Sequence, residues 1–448
     1  MLRAMMIARR ALLALPALAM LPRLTRADTA FPGANLLLVA LSDLHSAQER
    51  APAALAAIDA ALAANRGVPA LIVVNGDVFE RGNALALRSE GAADWAFLAA
   101  LRARAPVVLN IGNHEMALID DPAIMVARAR ALDLILVSNL GDARTGQPYV
   151  PAHAELRLGG RRVVLVGIAT DEAATYRAPA RPLLSLPAPA AWAAASLPGL
   201  IEGADTAIVL SHAGVAADRA ILPLLPDGAL LLGGHEHLRF THAAGIARYL
   251  HVGSWQRFIG LVPFGPAPAP HLVAVEPGGA EDAAQARLVA EIIAAHGRPE
   301  DREVMFTLPA PLPLPRAARL ACAAIAAATG SAAGLLGHTG FGTGLPAGPV
   351  TRLDFDAFLR FDGALFAGQV DAAALAAMAP RLNQDEEVPL AARIGDFAYG
   401  GPSLNTGRIA ANGWVRLNAA RFLGATPDFV AAPGLMLKPV VRAHLSRA

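Results

Sequence analysis

The sequence predicts a layered α/β fold, and three observations carry that prediction. Short apolar runs recur along the chain: "NLLLVAL" at 35–41, "ALIVVNG" at 70–76 and "PVVLNIG" at 106–112. Their unbroken hydrophobicity is that of strands buried on both faces. Between them lie alanine-rich stretches of helical length, 51–64 and 88–104, the alternation that sets helices against a parallel sheet. A proline-rich segment, "LPAPLPLP" at 308–315, then marks a stiff connection to a second region.

Further strands are expected at 134–138, 162–168, 206–211, 228–233 and 247–253. They complete a first domain over 28–285, followed by a linker over 286–315. A smaller α+β domain over 316–448 mixes helices (316–329, 371–380, 415–423) with short strands. The first 27 residues stand apart. Arg3, Arg9 and Arg10 precede "ALLALPALAMLP", and a small residue precedes Asp28. This is the grammar of an export signal, and Arg9-Arg10 fits the twin-arginine route. The expected location is periplasmic or secreted.

Composition bounds the function. Hydrophobic residues make up 55% of the chain, but much of that is alanine. No run of 18 or more apolar residues follows the signal, so no stable membrane span is expected. A net charge of +1 provides no footprint for nucleic acid or an acidic membrane. Cys322 is the only cysteine, which excludes an intrachain disulfide and reads as core.

Five strands end in one grammar, a glycine or small residue followed by a metal-type ligand. "LVALSDLHS" presents Asp43 and His45, and "IVVNGDVFERG" presents Asp77. "VVLNIGNHE" presents Asn113 and His114, "AIVLSHAG" presents His212, and "LLLGGHEH" presents His235 and His237. In a parallel sheet these carboxyl-end positions meet at one edge. Oxygen and imidazole donors without thiolate suit zinc, manganese or iron. Even with His114 left aside, the remaining seven donors are too many for one tetrahedral ion and right for two ions sharing a carboxylate.

In this order D-x-H, G-D, G-N-H-E, S-H and G-H-x-H resemble the calcineurin-like metallophosphoesterases. The resemblance implies a four-layer α-β-β-α sandwich and two divalent metal ions, Zn, Mn or Fe. Asp43, His45, Asp77 and His237 would hold one ion; Asp77, Asn113, His212 and His235 would hold the other, with Asp77 as the bridge. His235 and His237 would each reach a different ion while Glu236 points away. Two such cations lower the pKa of a bridging water, so hydroxide is available to attack a phosphate ester at neutral pH. His114 would assist the leaving oxygen without binding metal. Downstream, "LHVGSWQRFIGLV" (250–262), "LPAGPVT" (345–351), "FLRFDGAL" (358–365) and "IAANGWVRLNAARFLG" (409–424) resemble the 5′-nucleotidase branch. The implied substrate is a small phosphate ester, a nucleotide or nucleotide sugar.

The chain departs from that branch in two places. The branch pairs its catalytic histidine with an aspartate three residues later, where this chain has Ala117. Glu80 falls where related protein phosphatases place an orienting acid, and is expected to take that role. Glu80→Gln is then expected to cut turnover without stripping metal. In the nucleotide clamp, Gly337 and Gly342 stand at the branch's asparagine and arginine positions, and "RFDG" stands for "PFGN". Phe361 survives as a base-stacking candidate. Losing the arginine removes a two-pronged phosphate contact. Two alternatives follow: a sulfur-oxidation hydrolase of the same architecture, cleaving a thiosulfonate from a carrier protein, or a binding protein that lost turnover. The complete ligand set argues against the latter. His153, His242, His251, His271, His296, His338 and His444 are expected at surface or satisfied interior positions.

Overall fold

Six consecutive apolar side chains at Leu36–Leu41 leave no face for water, and this strand (β1) lies inside a six-stranded sheet. It pairs in parallel with Ala70–Asn75 (β2), which continues to Val107–Asn110 (β3) and Ile135–Val137 (β4). On its other side come Phe258–Phe264 and His271–Ala274, both antiparallel. The structure, a computed structural model, describes residues 29–243, 247–266, 269–275, 278–384 and 388–447. The export signal expected over 1–27 lies outside the described residues.

A second six-stranded sheet runs in the order Arg239–Ala243, Arg248–Val252, Leu230–Gly233, Thr206–His212, Arg161–Ala169, His153–Leu158. The strand period of two decides how the layers stack. Leu36, Leu38 and Ala40 face Leu210, Leu230 and Leu232 of the second sheet. Leu37, Val39 and Leu41 face the other way, onto the helices Ala51–Ala64 and Ala92–Arg102. The far side of the second sheet is covered by Pro189–Leu200 and Val215–Ile221. The result is the α-β-β-α sandwich expected.

The C-terminal region forms its own five-stranded sheet, ordered Ala398–Pro402, Ala333–Gly337, Gly407–Asn412, Ala364–Val370, Val430–Met436. The helix Leu314–Thr329 covers one face, burying Cys322, and the helices Ala372–Met378 and Ala419–Leu423 cover the other. Val215 and Leu238 of the first region join the C-terminal core, so the two regions share a continuous apolar contact. No helix among the described residues is long and apolar enough to cross a membrane.

Three expected elements differ. The helix expected at 88–104 is two helices, Ala84–Arg88 and Ala92–Arg102, because Asn83 caps the first and Gly91 turns left-handed at φ 72° before the second. The helix expected at 415–423 breaks at Asn418 into Gly413–Leu417 and Ala419–Leu423. The stretch 286–315, expected as a linker, holds most of the helix Ala283–His296, the strand Val304–Leu308 and the first turn of Leu314–Thr329. Val289 and Ile292, three apart, pack on Ala93, so one apolar stripe docks this segment onto the first region.

Candidate metal centre

The loops after β1, β2 and β3 and after the strands Thr206–His212 and Leu230–Gly233 converge at one sheet edge. They bring all seven candidate ligands together. Asp43, His45, Asp77, Asn113, His212 and His235 are buried, and His237 is half-buried. One group forms around Asp43, His45 and His237: His45 Nε2 lies 2.8 Å from His237 Nε2, and His237 Nε2 lies 3.7 Å from Asp43 Oδ1. A second forms around Asp77, His212 and His235, with Asn113 Oδ1 2.9 Å from His235 Nδ1. Asp77 Oδ2 faces both groups, 3.7 Å from His45 Nε2 and 3.1 Å from His212 Nε2.

The backbone is held in an uncommon conformation to achieve this. Five of the seven have positive φ: Asp43 at 51°, His45 at 47°, Asp77 at 56°, His235 at 79° and His237 at 55°. For side-chain-bearing residues such positions cost about 1–3 kcal/mol each and persist only where surroundings fix them. Here the site's own hydrogen bonds do so. Asp43 N–H donates to Gly76 O (3.0 Å) and His45 N–H to Asp77 O (2.9 Å). His235 N–H donates to Asp43 Oδ1 (3.0 Å), and His114 N–H to Asp77 Oδ1 (2.7 Å). Gly112 is required by close approach, since a Cβ there would lie 2.5 Å from Asp77 Oδ1.

The donor set fits divalent cations. His212 Nδ1–H donates to Asn75 O at 2.7 Å, which leaves the buried Nε2 lone pair aimed at two carboxylates. A lone pair and carboxylate oxygens repel unless a proton or cation lies between them. Without a cation the site takes a proton. Burial opposes charge on His212, but Asp77 and Asp43 outweigh it and push its pKa up to about 10. Burial pushes the Asp43 carboxyl up to about 7. Ligands must shed these protons to coordinate. Uptake of a divalent ion by the metal-free protein is therefore expected to release protons, to weaken as pH falls below about 10, where His212 holds its proton, and to weaken further below about 7, where Asp43 does. Calorimetry in buffers of different ionisation enthalpy reads the protons released; uptake without proton release contradicts this account of the site.

The remaining candidates surround this centre. Glu80 Oε2 lies 3.3 Å from His45 Nδ1 and 3.5 Å from His114 Nδ1, so it sits against a metal-type ligand as well as against His114. Although burial favours its neutral form, His114, His45 and Arg360 hold its pKa down to about 2. Glu236 does point away: its Oε2 accepts from Val215 N–H at 2.6 Å. Phe361 is 47% exposed, on the wall of a cavity of about 390 Å³ that opens onto His45, Asp77 and His114. It is not core. His251 is buried against Tyr249 and Asp218, and His338 bridges Phe397 O (2.8 Å) and Glu236 O (2.7 Å). His153, His242, His271, His296 and His444 join none of the clusters found among the described residues.

Four residues near the centre escaped the sequence reading: Glu172, Trp255, Arg360 and Arg421. Glu172 Oε2 lies 3.7 Å from His235 Nε2. Trp255 stacks on the His45 ring, centroids 4.3 Å apart. Both arginines come from the C-terminal region, each followed by phenylalanine in "LRFDG" and "ARFLG". The same Arg-Phe pair also stands at Arg239-Phe240 and Arg257-Phe258, so nothing local in the sequence singled these two arginines out.

Residues 36–239 match the calcineurin-like phosphoesterase family. The chain therefore carries a phosphoesterase domain of that family, a hydrolase class acting on phosphate esters. Over both regions the fold is similar to that of solved 5′-nucleotidases. The 5′-nucleotidase precursor from Thermus thermophilus overlays with a TM-score of 0.61 at 19% identity, covering 92% of this chain and 96% of that one. The 5′-nucleotidase from Candida albicans overlays at 0.60 with 12% identity, covering 93% and 99%. The sulfate thiohydrolase SoxB from Thermus thermophilus overlays at 0.66 with 15% identity, covering 93% and 94%. At these identities the likeness is one of fold. No curated protein matches the sequence.

Proposed function

We propose that the protein is an exported, dinuclear phosphoesterase acting on small phosphate esters, nucleotides or nucleotide sugars, in the periplasm or outside the cell. The position of Asp77 carries the reading, because one carboxylate oxygen faces both donor groups, at 3.7 and 3.1 Å. Asp43, His45, Asp77 and His237 hold one cation, and Asp77, Asn113, His212 and His235 hold the other. When bound, the two cations supply an acidified water and positive charge against the phosphoryl oxygens. The chain's own residues do the rest. His114 turns Nδ1 toward Glu80, leaving Nε2 for the leaving oxygen. Burial opposes its cationic form, but Asp77, Glu80 and Glu115 outweigh that and raise its pKa above the ordinary value. Phe361 and Trp414 offer aromatic faces on the cavity wall for a base.

The test is direct. Protein comprising residues 28–448 is assayed for bound metal and for hydrolysis of AMP, UDP-glucose, a cyclic nucleotide and an aryl phosphate diester, with Asp77→Asn as control. Bound metal with no turnover on any of these would remove the substrate assignment. Protein that retains no divalent ion would remove the dinuclear centre.

Glu80 carries a separate prediction. At saturating metal, Glu80→Gln is expected to lower kcat by about 10²-fold through His114. Because Glu80 also backs His45, the variant is expected to retain metal about 10–100-fold more weakly as well. The sequence alone separated turnover from metal here; the 3.3 Å contact to His45 joins them. Unchanged turnover would end the orienting role.

One observation supports a second reading: Gly342 offers no phosphate-gripping side chain. On that reading the same centre cleaves a thiosulfonate from a carrier protein. Sulfate release from such a carrier, with no phosphate release from the esters above, would select it.

A further inference from the structure

Two carboxylates, Glu80 and Glu172, stand behind candidate metal-binding histidines, and an arginine of the C-terminal region reaches each of them. We propose that Arg360 and Arg421 are positioning residues for the metal centre, acting through Glu80 on His45 and through Glu172 on His235. The role rests on the dinuclear reading above.

Arg360 is 5% exposed although it carries a guanidinium. Its Nη2 donates to His45 O at 3.0 Å, and Nη1 lies 3.7 Å from Glu80 Oε2, an ion contact too long for a hydrogen bond. Its guanidinium carbon sits 3.2 Å from the centre of the Trp255 ring, which also packs on the His45 imidazole and edge-on against that of His237. The Trp255 backbone N–H in turn donates to Asp43 O at 2.8 Å. One arginine from beyond residue 350 thus grips the backbone of a ligand, the acid behind it and the ring stacked on it. Burying such a cation is costly unless its contacts fix something.

Arg421 repeats the device at the other group. It forms ion pairs with Glu172 and Asp396, and its Nη2 lies 3.4 Å from His235 Nε2. His235 Nδ1 faces Asn113 Oδ1, so Nε2 is the nitrogen left for Glu172. Outer partners of this kind fix the orientation and basicity of a ligating imidazole.

This placement also explains the lost clamp. A Cβ at Gly342 would lie 2.3 Å from Ala357 O, 3.1 Å from Arg360 Nε and 3.3 Å from Trp255 Cε2. The position where the resemblance expects an arginine can hold no side chain, because the Ala357 carbonyl blocks it, with Arg360 and Trp255 packed close behind. An arginine that gripped substrate is absent, and arginines that grip the centre are present.

The test uses the full chain, stripped of metal and titrated with Mn(II), with stoichiometry and affinity read by calorimetry and by Mn(II) paramagnetic resonance. Wild type is expected to take up two ions. Arg360→Gln is expected to weaken one of the two steps by about 10–100-fold and Arg421→Gln the other, with the exchange-coupled signal giving way to that of a single ion. Arg360→Lys, which keeps the charge without the planar fork, is expected to recover only part of the loss. Arg219→Gln, which breaks contacts to Leu390 O and Arg393 O without touching either carboxylate, is expected to bind Mn(II) as wild type does. Wild-type affinities in both arginine variants, or an equal loss in Arg219→Gln, would overturn the proposal while leaving the dinuclear centre standing. A wild type that takes up no Mn(II) overturns the centre itself, and the proposal with it. Should Arg360→Gln fail to fold, Arg421→Gln carries the test, since a quarter of its side chain is exposed.

Discussion

Asp77→Asn is expected to lower kcat/KM by on the order of 10³-fold or more, about 4 kcal/mol of transition-state stabilisation. The substitution is nearly isosteric, and its consequences divide between the two oxygens. Oδ1 accepts the His114 backbone N–H at 2.7 Å, and an asparagine carbonyl can keep that bond. Oδ2 faces His45 at 3.7 Å and His212 at 3.1 Å, and there an NH₂ group, a donor only, cannot bind a cation. The loop survives while the shared donor is lost. Metal analysis alongside kinetics is expected to find fewer than two ions per chain. A variant with two ions and wild-type turnover would refute the shared-carboxylate centre.

His114→Asn is the second large effect, about 10²–10⁴-fold in kcat with metal content unchanged. The hydrogen bond to Asp77 comes from the His114 backbone N–H, which the variant keeps, and Glu80 still backs His45, so metal is expected to stay although the ring that packs edge-on against His45 is gone. The informative measurement compares leaving groups. A nucleoside 5′-oxygen leaves poorly and needs a proton, whereas a nitrophenolate does not. The loss is expected to be large on AMP and slight on p-nitrophenyl phosphate. An equal loss on both would assign His114 a structural role and remove it as the proton donor.

Sequence made the first region legible because its strands and its chemistry are written side by side. A buried strand is a visible run, and a ligand directly beyond it inherits the position of the strand's end. Asp43, Asp77, Asn113 and His235 could be grouped without knowing which strands were neighbours. What stayed hidden depends on tertiary contact between distant segments. Glu172 lies in an irregular loop after Arg161–Ala169, and nothing around it marks it as facing His235. Arg360 and Arg421 read as ordinary surface cations until the C-terminal sheet is folded against the first region. Trp255 lies in the 250–262 segment that carries the resemblance, but nothing in that segment reveals its stack on His45. The divided helix at 84–102 was missed for a local reason. Alanine and leucine favour helix on both sides of Gly91, and propensity alone does not reveal the left-handed residue that separates the two helices.

The pairing of β1 with Phe258–Phe264 sets a timetable for biosynthesis. His45 leaves the ribosome 192 residues before His237, and Arg360 follows His45 by 315. During that interval the Asp43 and His45 group lacks His237, and the first strand has only one of its two flanking partners. Both complete ligand sets can therefore form only after His237 has been synthesised. Whichever compartment the finished chain folds in is the compartment whose metal supply decides which ions it carries.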